Sequence, residues 1–93
     1  MIIAWKGGAV DDQLIDYITS ELRDVGENSD GVLDYRVGSD LGVRFDHGDY
    51  AVTAIFENQA SFDAYVANSR HIEIVEEYLL PNVERHMTAL FEI

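Results

Sequence analysis

Tyr65 and His71 are the two side chains of this 93-residue chain whose types and spacing best suit acid–base chemistry. A neutral imidazole, with an ordinary pKa of about 6.5, can take a proton from an acidic carbon or a phenol. A phenol, with an ordinary pKa of about 10, stays protonated and can donate a hydrogen bond to a developing oxyanion. On one straight helix, six residues leave two side chains about 120° apart in azimuth. The pair reaches one pocket only if the helix bends between them. Asn68 and Ser69, both good N-caps, lie at that point. The stretch Phe62–Pro81 therefore reads as two short helical pieces, broken at Asn68-Ser69 and stopped by Pro81. Phe62, Tyr65 and Val66 give the first piece its apolar spacing, and Ile72, Val75, Tyr78 and Leu79 the second. In the purely structural alternative, His71 braces the second piece and Tyr65 packs in the core.

Little else in the sequence carries chemistry. The other histidines, His47 and His86, have no metal-site spacing to their neighbours, and they read as surface or structural residues. No metal site is expected from spacing. There is no His-Glu-x-x-His, no Gly-x-Ser-x-Gly and no dinucleotide fingerprint. With no cysteine, disulfides and thiolate metal sites are excluded.

Eighteen acidic against six basic side chains give a formal charge of −12. Such a chain repels phosphate backbones and anionic bilayers, so nucleic acid and membrane are not expected partners. One lysine, Lys6, is present. An acidic, lysine-poor surface suits solubility, and it also suits a high-salt habitat. No apolar run approaches the length of a membrane span, and the start lacks the features of a signal peptide. The expectation is one soluble, cytoplasmic domain over residues 1–93.

The elements that must position the pair follow in order. Met1–Lys6 reads as a strand ended by Gly7-Gly8. Asp11–Val25 is an amphipathic helix with Leu14, Ile15, Ile18, Leu22 and Val25 on one stripe. Asp11 is its expected N-cap and Gly26 its expected stop. Val32–Gly38 is a second strand with Leu33, Tyr35 and Val37 on one face. Ser39–Gly48 is a long loop. Asp49–Glu57 is a third strand, apolar on both faces: Tyr50, Val52, Ala54 and Phe56 on one, Ala51, Thr53 and Ile55 on the other. Asn58 caps the next helix, and Val83–Ile93 is a fourth strand.

The order βαββαβ is the ferredoxin-like arrangement of the α+β class, an antiparallel sheet with both helices on one face. The apolar second face of the third strand calls for a covering partner, and a second copy of the chain supplies one. A ligand pocket between sheet and helices would be lined by Leu14, Ile18, Tyr50 and Val52.

The pieces Gly48-Asp49-Tyr50, Phe56-Glu57, Tyr65-Val66-Ala67-Asn68-Ser69-Arg70-His71, Leu79-Leu80-Pro81-Asn82-Val83 and Phe91-Glu92 resemble the stress-responsive dimeric α/β-barrel (Dabb) family over nearly the whole chain. The resemblance implies a homodimeric α/β barrel that binds a small apolar or aromatic molecule. It also implies the alternative of a cofactor-free enzyme, polyketide-cyclase-like or monooxygenase-like. Tyr65 and His71 match by position the Tyr and His of the cyclising members, whereas Tyr50 stands where those have a second His. No cofactor is expected. Some members hold magnesium near a turn that corresponds to Asn28–Leu33. A haem role would need His71 as axial ligand. The family often carries a His near the start of its first strand. Trp5-Lys6 match that strand's end, so here the strand is shortened or begins upstream. Some relatives form larger rings, so a purely structural assembly module is a third reading.

Overall fold

The computed structural model describes all 93 residues. Its first strand, β1, is Ile2–Trp5. The carboxylate of Asp11 then accepts from the Leu14 amide and starts α1, Asp12–Glu27. This helix buries Ile18, Leu22 and Val25 of the expected stripe, while Leu14 and Ile15 are half-buried beside the core.

Gly26 does not end α1, which continues to Glu27 and is closed by Asn28. The glycine is needed for close approach instead. A Cβ there would lie 2.4 Å from the Tyr35 ring. Asn28 closes the helix by donating from its side chain to the Asp24 carbonyl at 2.8 Å.

The strands β2 (Val32–Ser39) and β3 (Tyr50–Phe56) pair antiparallel along their length. The register slips between Val32 and Asp34, so Val32 faces Phe56 and Asp34 faces Ile55. Leu33 is the extra residue of this bulge and is exposed, not aligned with Tyr35 and Val37 as alternation implied.

Asn58 caps α2, Gln59–Ala67, by accepting from the Ser61 amide. The chain breaks at Asn68 and restarts as α3, Ser69–Ile74. A π-helical turn, Val75–Leu79, and a 3-10 turn, Leu80–Asn82, continue α3 toward the last strand. Pro81 sits in the 3-10 turn, where its missing N–H stops further helix.

The last strand, β4, is Val83–Met87 and not Val83–Ile93. Met87 pairs with Ile2, the first residue of β1, so the chain beyond has no neighbouring strand to bond. Residues 88–93 are exposed throughout.

The sheet order β2-β3-β1-β4, antiparallel throughout, is the ferredoxin-like fold. Ile3, Ile18, Leu22, Val25, Tyr50, Tyr65, Ile74, Leu79 and Val83 form the core between sheet and helices. No helix is long and apolar enough to cross a membrane.

Candidate functional site

The Asn68 break does what the spacing of Tyr65 and His71 requires. Its backbone is extended (φ −59°, ψ 128°), and its side-chain oxygen accepts from the Arg70 and His71 amides. The chain turns, and the two rings meet with centroids 4.4 Å apart and planes tilted by 50°. Arg70 fastens the same corner to α1 through Glu21 at 2.6 Å and the Tyr17 hydroxyl at 3.3 Å, and pairs with Glu73 of its own helix at 2.6 Å.

Tyr65 and His71 touch as rings and share no hydrogen bond. The Tyr65 hydroxyl instead pairs with the Tyr35 hydroxyl at 2.7 Å. Phe56 lies 5.5 Å from the Tyr65 ring, and Phe62 lies edge-on to Phe56 at 5.3 Å. Tyr35 is the site residue that the sequence reading placed only as a strand-face residue. The signal available was chemical: a tyrosine on an inward-facing strand position needs a partner for its hydroxyl.

Burial governs the electrostatics. It pushes the Tyr35 phenol well above the ordinary range, helped by the hydrogen bond to Tyr65. It also raises Tyr65, although the bond from Tyr35 opposes the rise. Neither phenol ionises near neutral pH. Two hydroxyls sharing one hydrogen bond leave one phenolic proton free for another acceptor. Burial lowers the His71 pKa, and the nearby Val66 carbonyl opposes this more weakly, without making a well-formed hydrogen bond to Nδ1. The ring is neutral at pH 7, and its buried Nδ1 has no hydrogen-bond partner. No carboxylate bonds to it, so an imidazolium formed here would be half-buried and uncompensated.

The four residues expected to line a ligand pocket are divided. Ile18 is 0% and Tyr50 1% exposed, so neither presents surface in this conformation. The Tyr50 hydroxyl is bonded to Thr19 at 2.5 Å, and its ring packs on Trp5 at 5.3 Å. Val52 is half-buried beside the core. Leu14 opens instead onto an outer depression with Asp11, Gln13, Tyr17 and Tyr78. A second open depression, lined by Glu27, Val32, Leu33, Asp34 and Tyr35, reaches the Tyr35 side of the phenol pair.

In the Asn28–Leu33 turn, two backbone carbonyls already accept hydrogen bonds. The Gly31 carbonyl accepts from the Glu57 amide at 2.7 Å, and that of Ser29 from the Val32 amide at 3.4 Å. No group of three or more His, Asp or Glu side chains gathers to hold a metal ion anywhere in the chain. His47 bonds Asp40 at 3.0 Å within the loop between β2 and β3, and His86 is exposed on β4.

No family model and no curated protein matches the chain in sequence. Its fold does match solved structures. A dimeric ferredoxin-like protein of unknown function from Thermobifida fusca aligns with a TM-score of 0.80 at 20% identity, covering 90% of this chain and 77% of that one. A Dabb family protein with a ferredoxin-like fold from Mesorhizobium loti aligns at TM-score 0.69 and 15% identity, covering 90% and 82%. A dimeric ferredoxin-like protein of unknown function from Bacteroides fragilis aligns at 0.66 and 12%, again over 90% and 82%.

Proposed function

We propose that this chain is a Dabb-type protein that works as a homodimer and binds a small, flat aromatic molecule at the Tyr35–Tyr65–His71 cluster. The buried, unpartnered Nδ1 of His71 carries this reading. An orphaned buried polar atom costs about 1–3 kcal/mol, and a hydroxyl-bearing aromatic ligand admitted by an opening of the corner between α2 and α3 removes that cost by donating to it. The free phenolic proton of the tyrosine pair offers the same ligand a donor, and Phe56 and Phe62 supply aromatic surroundings. The dimeric neighbours and the exposed apolar sheet face support the homodimer.

The cofactor-free enzyme reading asks His71 to become a cation beside no carboxylate. That step is unfavourable in this setting, so binding without turnover is the better account. The test is an NMR titration of the imidazole-labelled protein with 2-naphthol, beside native mass spectrometry of the protein as purified. Binding is expected to shift the His71 ring nitrogens and to be lost in His71→Phe. If neither 2-naphthol nor any co-purified adduct perturbs His71, the binding reading fails. Turnover of an aromatic substrate that depends on His71 would replace it with the enzyme.

A further inference from the structure

The aromatic cluster has no mouth in this conformation. Tyr65 is 8% exposed and the His71 Nδ1 is enclosed. The open depression beside Tyr35 is lined by neither Tyr65 nor His71. A ligand therefore enters only if some element moves. The sheet side is closed by the ladder of β2 and β3, and an opening there would break its backbone bonds. On the helix side, α2 and α3 bury one side chain each, Tyr65 and Ile74. No side chain from Val66 to Glu73 is buried.

This stretch lies between two irregular points of the backbone. Asn68 is extended at one end, and the π-helical turn begins at Val75 at the other. Across the joint, the Asn68 amide donates to the Tyr65 carbonyl at 3.2 Å. The short helix α3 can swing about Ile74 as one piece and lift His71 off the Tyr65 ring. One side chain opposes that swing from outside the two helices. Arg70 makes the only ion pair and the only side-chain hydrogen bond that tie Val66–Glu73 to a distant element. They run to Glu21 at 2.6 Å and to the Tyr17 hydroxyl at 3.3 Å, both on α1.

We propose that the Arg70–Glu21 pair is a latch that holds the α2–α3 corner shut over the aromatic site, so that ligand exchange waits on its release. The inference rests on the binding reading above and adds how that site opens. Glu73 supplies an internal control. It pairs with Arg70 at 2.6 Å but belongs to α3, so it travels with the corner and ties it to nothing. Ionic strength sets the latch. Arg70 and Glu21 are 35% and 28% exposed, within reach of counterions. Raising sodium chloride from about 0.01 M to about 1 M shortens the screening length from about 30 Å to about 3 Å.

The experiment is stopped-flow binding of 2-naphthol to the full chain, comparing wild type with Glu21→Ala and Glu73→Ala. Alanine suits both helical positions, so both variants fold. 2-Naphthol is neutral at pH 7, so salt does not steer its approach. Glu21→Ala is expected to raise the association and dissociation rates together, by about twofold to fivefold, with the dissociation constant nearly unchanged. Glu73→Ala should stay near wild type. Salt should speed exchange of the ligand in wild type and not in Glu21→Ala. Amide exchange at Asn68 without ligand should be faster in Glu21→Ala alone. Equal rates in wild type and Glu21→Ala, or the same rise in Glu73→Ala, overturn the latch and leave binding standing. If 2-naphthol binds none of the three, the binding reading fails and the Asn68 amide decides the latch by itself. Faster exchange in Glu21→Ala alone upholds it, and equal exchange in all three overturns it.

Discussion

Tyr65 and His71 are six residues apart, yet their rings lie 4.4 Å apart because Asn68 takes an extended conformation between two helices. One side chain closes this joint: the Asn68 oxygen accepts two amides of α3, while the Asn68 amide donates to the Tyr65 carbonyl. The contact itself is ring on ring. The polar ends point elsewhere, the phenol to Tyr35 and Nδ1 to no partner. In this conformation the two rings form one side of an aromatic cage and share no hydrogen bond.

Gly26→Ala tests how tightly that cage is built. In a helix, alanine gains about 1 kcal/mol over glycine. Here its Cβ would lie 2.4 Å from the Tyr35 ring, so the ring or the helix must move. Overpacking costs about 1–3 kcal/mol and outweighs the propensity gain. We expect a net loss of about 1 kcal/mol in urea unfolding, together with a displaced Tyr35 ring signal by NMR. A more stable variant would show that the approach of α1 to β2 is slack.

The phenol pair makes a separable contribution. Tyr65→Phe leaves the Tyr35 hydroxyl half-buried without its partner, and Tyr35→Phe does the reverse to Tyr65. Each single change should cost about 1–2 kcal/mol. The double change should cost less than the sum of the two, because each single loss includes the shared bond. Additive losses in a double-mutant cycle would mean that the hydroxyls are not coupled.

How much of this was legible in the sequence depends on the range of the interactions. Asp11, Asn58 and Asn68 are local caps that act within three residues, and each caps where its spacing indicates. The break between Tyr65 and His71 was legible for the same reason. Leu33 was misplaced because alternation assumes an unbroken register, and the bulge is set by pairing with β3. Gly26 read as a helix stop because its neighbour Tyr35 is distant along the chain. The fourth strand was read too long because alternation continues to Ile93 while the strand beside it begins at Ile2. Tyr35 entered the site through a contact thirty residues away, which no local pattern reports.

The same pairing makes β3 unequal along its length. Val52 exchanges bonds with Met1 at 2.8 and 2.9 Å. By strand alternation, Ala54 and Phe56 turn their backbone groups to the same side, where no strand lies beside them. Hydrogen exchange should find the Ala54 and Phe56 amides fast in dilute protein, and the Thr53 and Ile55 amides, paired to β2, slow. Equal protection of all four would place another segment in that position.

His71 predicts a pH dependence of defined sign. Burial lowers its pKa in the folded chain, so on acidification the unfolded chain takes up this proton first. The stability that comes from keeping the ring neutral is complete above the unfolded value of about 6.5. It is lost as pH falls below that value toward the lower folded one. His71→Phe keeps a ring against Tyr65, removes the titration and removes the orphaned Nδ1. At pH 7.5 the variant should be as stable as wild type or about 1 kcal/mol more so. Between pH 7 and pH 5 it should gain further on wild type, because other groups titrate alike in both. Melting temperatures of the two proteins across that range decide the matter. Parallel curves would mean that His71 is not buried enough to titrate abnormally. A wild type that gains on the variant in acid would mean that a carboxylate reaches the imidazole, and the proton-accepting role of His71 would return.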